Sequence, residues 1–475
     1  MKTLHLTNAW AETSGGIATF YRALIAESNR RGHEIRLIVP ADEDNMQQVG
    51  DFGRIYRVRA PKSALNPDYR TIYPSQFLLQ GSRIQEILAY EHPDLIEISD
   101  KYTLNYLGPL IRNGLLAAID YRPVVVGLSQ ERMDDNVRAY FRTIPFAQVF
   151  ASVYMRWLYF PFFDHHIANS EYTAEELRAA AHGHLIPRGT WIRCMGVELE
   201  HFSPRRRKPE HRRRLLQNFG LDDGSLLLYA GRLVPEKNLG LLFDTVVQLV
   251  KEKKDDYRLL VVGDGVEREF WERKCHAGIP GRVQFLGHVH SPDALADIYA
   301  NADVFVHPNP REPFGIAPLE AMASGLPLVA PNAGGITSYA NSENSWIVSP
   351  DANSFAAAVR LVITNPALRA RKIEQALITA QQFRWERVAA SFLGLYEELN
   401  LQRTQRAQSD VADFVSTPAG TIRASILRAA ATTAIRGFRF WSKLALWRAA
   451  KARARYPLGI VLRSPDGDEN SEIPA

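Results

Sequence analysis

The sequence predicts an α/β chain of two doubly wound, Rossmann-like domains facing each other across a central cleft. Three observations carry this expectation. Short apolar runs alternate with helical periodicity from Leu4 onward, and glycine-containing loops separate them. A second alternating series begins at Leu226, after the charged, proline-containing stretch Ser203 to Arg214 (SPRRRKPEHRRR), which reads as a surface linker and boundary. Four loops of that second series leave four strands at one edge, where open α/β sheets place their ligands.

The bulk numbers agree with a soluble enzyme of two or three domains. The chain has 475 residues, 46% hydrophobic and 23% charged. Its net charge of +5 is unevenly distributed: Thr421 to Arg463 holds ten Lys/Arg and no Asp or Glu, which leaves the remainder at −5. Two cysteines, Cys194 and Cys275, stand far apart and suit a reduced, cytoplasmic setting. Met1-Lys2-Thr3 leads straight into a strand, so no signal peptide is expected. The longest apolar stretch, Gln148 to Phe163, is interrupted by Arg156 and falls short of the roughly 18 residues of a membrane span.

Taken in order, Leu4 to Leu6 is a strand, and the Gly15-Gly16 loop leads into a helix from Ile17 to Arg31 closed by Gly32. Ile35 to Val39 completes a βαβ unit, whose bare glycine loop lets a phosphate approach closely. A helix near Gln76 to Tyr90 precedes a strand at Leu95 to Ile98, with Asp100 and Tyr102 at its carboxyl end. Val124 to Val126 is a further strand, and Gln130 leaves it at the same edge. The aromatic block Phe141 to Phe163 reads as core or interdomain packing, or as an apolar acceptor surface. His165 to Ser170 runs as a strand into a helix cap; that histidine pair lacks further ligands at metal spacing and reads as structural.

In the second half, strands at Leu226 to Ala230, Leu259 to Val262, Val283 to Leu286 and Val304 to Val306 alternate with helices. Their loops carry Arg232 and Lys237, then Gly263 and Gly265, then Gly287, then Glu312 and Glu320. Two phosphates call for about two positive charges and N–H donors. Arg232 offers a planar fork, Lys237 a point charge, and Phe314-Gly315-Ile316 the backbone N–H groups of a helix start. Glu320, placed by Pro318 in the first helical turn, suits a ribose diol, and Gly287 would leave bare backbone for the base. Glu312 stays near the reacting centre, as a sugar ligand or as electrostatic support. Together these loops describe a nucleotide-diphosphate site.

GRLVPEKN (Gly231 to Asn238), VVGDG (Val261 to Gly265), VQFLGHV (Val283 to Val289) and EPFGIAPLEAMASGLPLVA (Glu312 to Ala330) resemble the donor half of retaining GT-B glycosyltransferases of family 4. Gly196-Val197-Glu198 with Phe202-Ser203-Pro204 is similar to the family's domain-joining signature, and Arg384 to Leu399 to its closing helix. The resemblance implies an N-terminal acceptor domain over residues 1–203, a nucleotide-sugar domain over 204–383 and a helix at 384–402 returning to the first domain. It further implies catalysis through Glu312, Arg232 and Lys237, a donor held also by Gly15 and Gly16, and an acceptor near Asp100, Tyr102 and Gln130, with no metal and no cofactor. Gln130 stands where the family commonly has a histidine; it can hydrogen-bond a hydroxyl but does not titrate near neutrality.

The implied reaction is hexose transfer, first mannose from GDP-mannose, to a glycan or lipid-linked hydroxyl. A sugar-nucleotide epimerase and a non-catalytic nucleotide-sugar-binding protein are the alternatives. Residues 403–475 form a basic extension outside the resemblance. Within 421–463, Ile422, Ile426, Phe438 and Trp441 fall at helical spacings among arginines, a pattern suited to the anionic inner face of a membrane, or equally to a disordered basic tail or a helix packed on its own protein, rather than to nucleic acid.

Overall fold

Two sheets organise the chain, as the alternating apolar runs require. The computed structural model describes residues 1–10, 16–63, 69–116, 119–140, 146–182, 189–251 and 256–407. The first sheet contains β1 (Lys2–Leu6), β2 (Glu34–Ala41), β3 (Asn45–Val49), β4 (Gly53–Arg59), β5 (Leu95–Ile98), β6 (Val124–Ser129), β7 (His165–Ala168) and β8 (Gly189–Ile192), in the order β3-β4-β2-β1-β5-β6-β7-β8. The second contains β9 (Ser225–Ala230), β10 (Tyr257–Val262), β11 (Val283–Gly287), β12 (Val304–Val306), β13 (Leu328–Pro331) and β14 (Trp346–Val348), in the order β11-β10-β9-β12-β13-β14. Every pairing is parallel except β3 with β4.

Parallel strands are covered on both faces, so their sequences are continuous apolar runs. β6, VVVGLS, and β10, YRLLVV, are buried along their whole length. The antiparallel edge strand β3, NMQQV, is almost entirely exposed and polar, which is why nothing in its composition announces a strand. Each sheet reverses its strand order once, between β1 and β5 and between β9 and β12. The carboxyl ends beside those reversals are where crevices form.

Local chemistry sets the helix boundaries. Ser170 caps Glu171–Ala181, its hydroxyl accepting from the Thr173 N–H at 3.1 Å while Thr173 reciprocates toward the Ser170 N–H. The expected helix near Gln76 to Tyr90 is broken into Ser75–Leu78 and Arg83–Glu91, with Gly81 at φ 73° in the break. The charged stretch after Ser203 is not a loose linker. It forms the helix Pro209–Gln217, and Arg206 and Arg212 anchor it to Asp297 and Asp303 at 3.1 and 2.8 Å.

The chain passes between the two sheets twice, and the passages touch. The Val197 N–H donates to the Phe383 carbonyl at 2.8 Å, immediately before the last described helix, Trp385–Ala407. That helix returns to the first sheet and packs on the helix Gly16–Arg31: Phe20 lies 4.8 Å, centroid to centroid, from Phe392 and 6.2 Å from Trp385. Below them Glu97, fully buried, accepts from the Tyr21 hydroxyl at 3.1 Å and from the Tyr396 hydroxyl, with the His5 ring 3.1 Å away. Residues 408–475, and with them the basic segment 421–463, lie outside the described residues.

Phe392 is 0% exposed and bridges the first and last helices. Phe392→Ala is expected to destabilise the fold by about 3–5 kcal/mol, measured as a shift of the urea midpoint with an unchanged transition slope.

Candidate active site

The centre of the site is an ion pair between a buried carboxylate, Glu312, and the half-buried Lys237. Lys237 Nζ donates to both carboxylate oxygens of Glu312, at 2.9 and 2.8 Å. Lys237 ends the short turn Pro235–Lys237 after β9, and Asn238 follows at φ 54°, a left-handed conformation that asparagine tolerates. The Asn238 side chain then donates to the Pro308 carbonyl at 3.0 Å, tying this turn to the loop after β12. That loop brings Asn309 Nδ2 to 3.1 Å and His307 Nε2 to 3.5 Å from Glu312 Oε2. Burial alone would raise the Glu312 carboxyl, but Lys237, His307 and Asn309 outweigh it and hold it at about 2. Burial, reinforced by Lys237, pushes the His307 imidazole down to about 4, against the opposing pull of Glu312. Near neutrality Glu312 is therefore an anion and His307 is neutral.

Glu320 has the opposite environment. Burial raises its carboxyl to about 7, only partly offset by the Tyr299 hydroxyl, which donates to it at 3.0 Å. No cation joins the causes of its shift, although its side chain keeps some exposure. It stands in the second turn of the helix Ile316–Ala323, not the first as its distance from Pro318 suggests. Gly315, at φ 88°, caps that helix, which begins at Ile316, two residues before Pro318. Phe314 is buried against Tyr339, ring centroids 5.1 Å apart, so what it offers the site is its backbone.

The glycine loops are knitted together by their own backbones. The Gly263 N–H donates to the Gly287 carbonyl at 2.8 Å, and the Leu233 N–H to the Asp264 carbonyl at 2.9 Å. A Cβ on Gly263 would stand 2.1 Å from the Gly231 carbonyl oxygen, at a φ of 124°, so only glycine lets these loops meet. Gly265 is the next link, and Gly287 lies buried beneath the Arg268 guanidinium, itself bonded to Asp264 and Glu272. Arg232 projects from this knot with its side chain 58% exposed, steadied by Glu236 at 3.1 Å. A guanidinium so presented is open to an anion.

The first sheet meets this assembly directly. A Cβ on Gly16 would stand 2.5 Å from Ile316 Cδ1, so the glycine admits the start of the opposite helix. Gly15 lies outside the described residues. The Ser170 hydroxyl donates to the Pro313 carbonyl, and Arg311 Nε lies 3.5 Å from Asp135 Oδ1. Gln130 follows directly on β6: its carbonyl accepts from Asn169 at 3.1 Å, while its own Nε2 is buried without a hydrogen-bond partner. A buried amide left in that state is a place where a ligand hydroxyl would be stabilising.

Two other expected residues are held in structural roles. Asp100 Oδ1 accepts the N–H groups of Tyr102, Thr103 and Leu104 at 3.0, 2.6 and 2.7 Å, so most of its capacity closes its own turn. The Tyr102 hydroxyl accepts from Asn136 at 2.8 Å, and burial, then the nearby Glu131, raises it well above the ordinary range. Asn136 also donates to Glu131 Oε2 at 2.9 Å; burial raises that carboxyl too. Asn136, Asn309 and Tyr299 escape sequence reading. Asn309 stands three residues before Glu312 on one loop, a local signal that could have found it. Tyr299 and Glu320 sit 21 positions apart and meet only through the fold.

Comparison with known proteins places this geometry. Residues 212–378 match the family described as glycosyl transferases group 1, and residues 14–190 that described as glycosyltransferase family 4. The chain is 29% identical over 401 residues to a GDP-mannose-dependent alpha-(1-6)-phosphatidylinositol dimannoside mannosyltransferase of Mycobacterium tuberculosis H37Ra, covering 83% of this chain and 95% of that one. A GDP-mannose-dependent alpha-mannosyltransferase of M. tuberculosis CDC 1551 is 30% identical over 324 residues, 67% of this chain and 76% of that one. Among solved structures, sucrose-phosphate synthase from Thermosynechococcus elongatus superposes with a TM-score of 0.64 at 21% identity, covering 84% of this chain and 99% of that chain. The chain belongs to the group 1, family 4 glycosyltransferases: it has the GT-B fold and is a glycosyltransferase that uses a nucleotide sugar.

Proposed function

We propose that the protein transfers mannose from GDP-mannose, with retention at the anomeric carbon, to a hydroxyl of a lipid-linked or glycan acceptor. The observation that carries the site assignment is the Lys237–Glu312 ion pair at the start of the Gly315–Ile316 helix. The names of the two mycobacterial relatives support mannose and GDP, and one of them supports a lipid-linked acceptor.

In this reading Arg232 and Lys237 take up the diphosphate charge, aided by backbone N–H groups at Ile316. The leaving group then needs no metal to neutralise it. Glu312 holds Lys237 aimed into the site, and it faces the positive charge that develops on the sugar ring. With its carboxyl held near 2, it is not a general acid at neutral pH. The departing phosphate takes the acceptor proton on the same face, and Gln130 Nε2 orients the hydroxyl. The Gly15–Gly16 loop and the bare backbone at Gly287 contribute contacts to the donor.

Replacing either member of the ion pair should be severe, because the survivor is left as an uncompensated charge. Lys237→Ala and Glu312→Ala are each expected to lower transfer from GDP-mannose by about 100-fold or more, followed as release of GDP with a mannoside acceptor. Wild-type turnover in both variants, or a new epimer formed from donor alone, would overturn the reading.

Glu320 as the ribose ligand brings a pH dependence. Its folded carboxyl, at about 7, lies above the ordinary 4.5, so the unliganded fold binds the extra proton and loses stability as pH rises between those values. Ionised Glu320 accepts from the ribose hydroxyls, so GDP binding should tighten as pH rises through about 7. Glu320→Gln should bind GDP with a flat profile, and its melting-temperature advantage over wild type should grow from about pH 5 to about pH 8. Calorimetric titration and thermal melts across that range give both readouts.

A further inference from the structure

The aromatic block after Asn136 has two faces. Helix Ala147–Tyr154 and the wide turn Met155–Tyr159 bury Ala151, Tyr154, Met155 and Tyr159. The Tyr154 hydroxyl donates to the Lys101 carbonyl at 2.7 Å and accepts from Asn105 at 2.9 Å, which fixes this element against the wall carrying Asp100 and Tyr102. The other face is apolar and open. Phe146 is 82% exposed, Val149 58%, Phe150 64%, Val153 50% and Trp157 59%. Their spacing of three and four places them along one stripe. Elsewhere among the described residues, exposed large apolar side chains stand singly or as a pair. A stripe of this size signals an interaction surface.

Charge identifies the occupant. From Asn136 to Phe163 the only charged residues are Arg138, Arg142 and Arg156; there is no Asp, Glu or Lys. The half-buried Arg156 lies over the exposed Trp157 ring, its guanidinium carbon 5.5 Å from the ring centroid. An apolar stripe in a segment whose only charged residues are arginines complements anionic headgroups above acyl chains. The same charge disfavours the alternatives. The basic segment 421–463 carries like charge, and a second copy of this face would oppose arginine to arginine.

We propose that the stripe formed by Phe146, Val149, Phe150, Val153 and Trp157 docks on an anionic lipid bilayer and sets the acceptor side of the cleft at the headgroup level. The docking surface itself stands without the transfer reading; its alignment with the acceptor rests on that reading. Bilayer attachment through this stripe is additional to any contact made by 421–463.

The full-length protein tests this by sedimentation with vesicles of phosphatidylglycerol and phosphatidylcholine, against phosphatidylcholine alone. Phe150→Ser with Trp157→Ser is expected to lower the fraction bound to anionic vesicles about fivefold or more, whereas Phe150→Leu with Trp157→Leu retains it. GDP binding, measured by thermal shift on the same samples, should be unchanged, so loss of vesicle binding is read separately from the donor site. Vesicle binding by the serine variant equal to wild type would overturn the proposal, with Phe438→Ser and Trp441→Ser then locating attachment in the tail. So would equal wild-type binding to both vesicle types, or a wild-type dimer that the serine variant dissolves.

Discussion

A single buried carboxylate holds the architecture in register. Glu97, on β5, receives hydroxyls from the first helix through Tyr21 and from the last through Tyr396, beside the ring of His5 on β1. All four side chains are excluded from water. A carboxylate in that setting is tolerable only while its donors are present, and removing one leaves an unsatisfied group at a cost of about 1–3 kcal/mol or more. The first strand, first helix, fifth strand and closing helix therefore assemble together or not at all. Because the closing helix follows directly from the second domain, this knot also fixes how the two sheet reversals face each other.

What faces what across the cleft follows from that arrangement. The two glutamates, Glu312 and Glu320, share one chemistry and differ only in environment. Glu312 is surrounded by Lys237, His307 and Asn309 and stays ionised; Glu320 has only the Tyr299 hydroxyl and holds its proton up to about 7. Contacts at Ser170–Pro313 and Asp135–Arg311 bring the first sheet against the loop that carries Glu312.

In the first domain, the short helix Ala147–Tyr154 serves two environments. Tyr154 points inward and is bonded to the loop that carries Tyr102, while Phe150 and Trp157 point out to solvent. The sequence reading of this block as packing holds for Tyr154, Tyr159, Phe160, Phe162 and Phe163, which are buried, and fails for Phe146, Phe150 and Trp157; Phe141 lies outside the described residues. Aromatic density does not reveal orientation. The π-type turn at Met155–Tyr159 shifts the helical phase just where a periodic reading would assign Trp157.

The sequence by itself determined most of the parallel strands, though not β4, β8 or β14, together with the cap at Ser170 and the loops bearing Arg232, Lys237 and Glu312. These are local: a strand buried on both faces must be apolar, and a cap or cation is visible wherever it stands. It did not reveal β3, whose polar residues are held by pairing alone, nor the second-turn position of Glu320, set by the backbone at Gly315. Only the tertiary structure decided which carboxylate keeps its charge, because Tyr299, His307 and Lys237 reach their partners from separate strands and turns. It likewise turned Asp100 inward and left Gln130 Nε2 unpartnered. Ionisation and hydrogen-bond satisfaction depend on distance and exclusion of water, and those are properties of the packed chain.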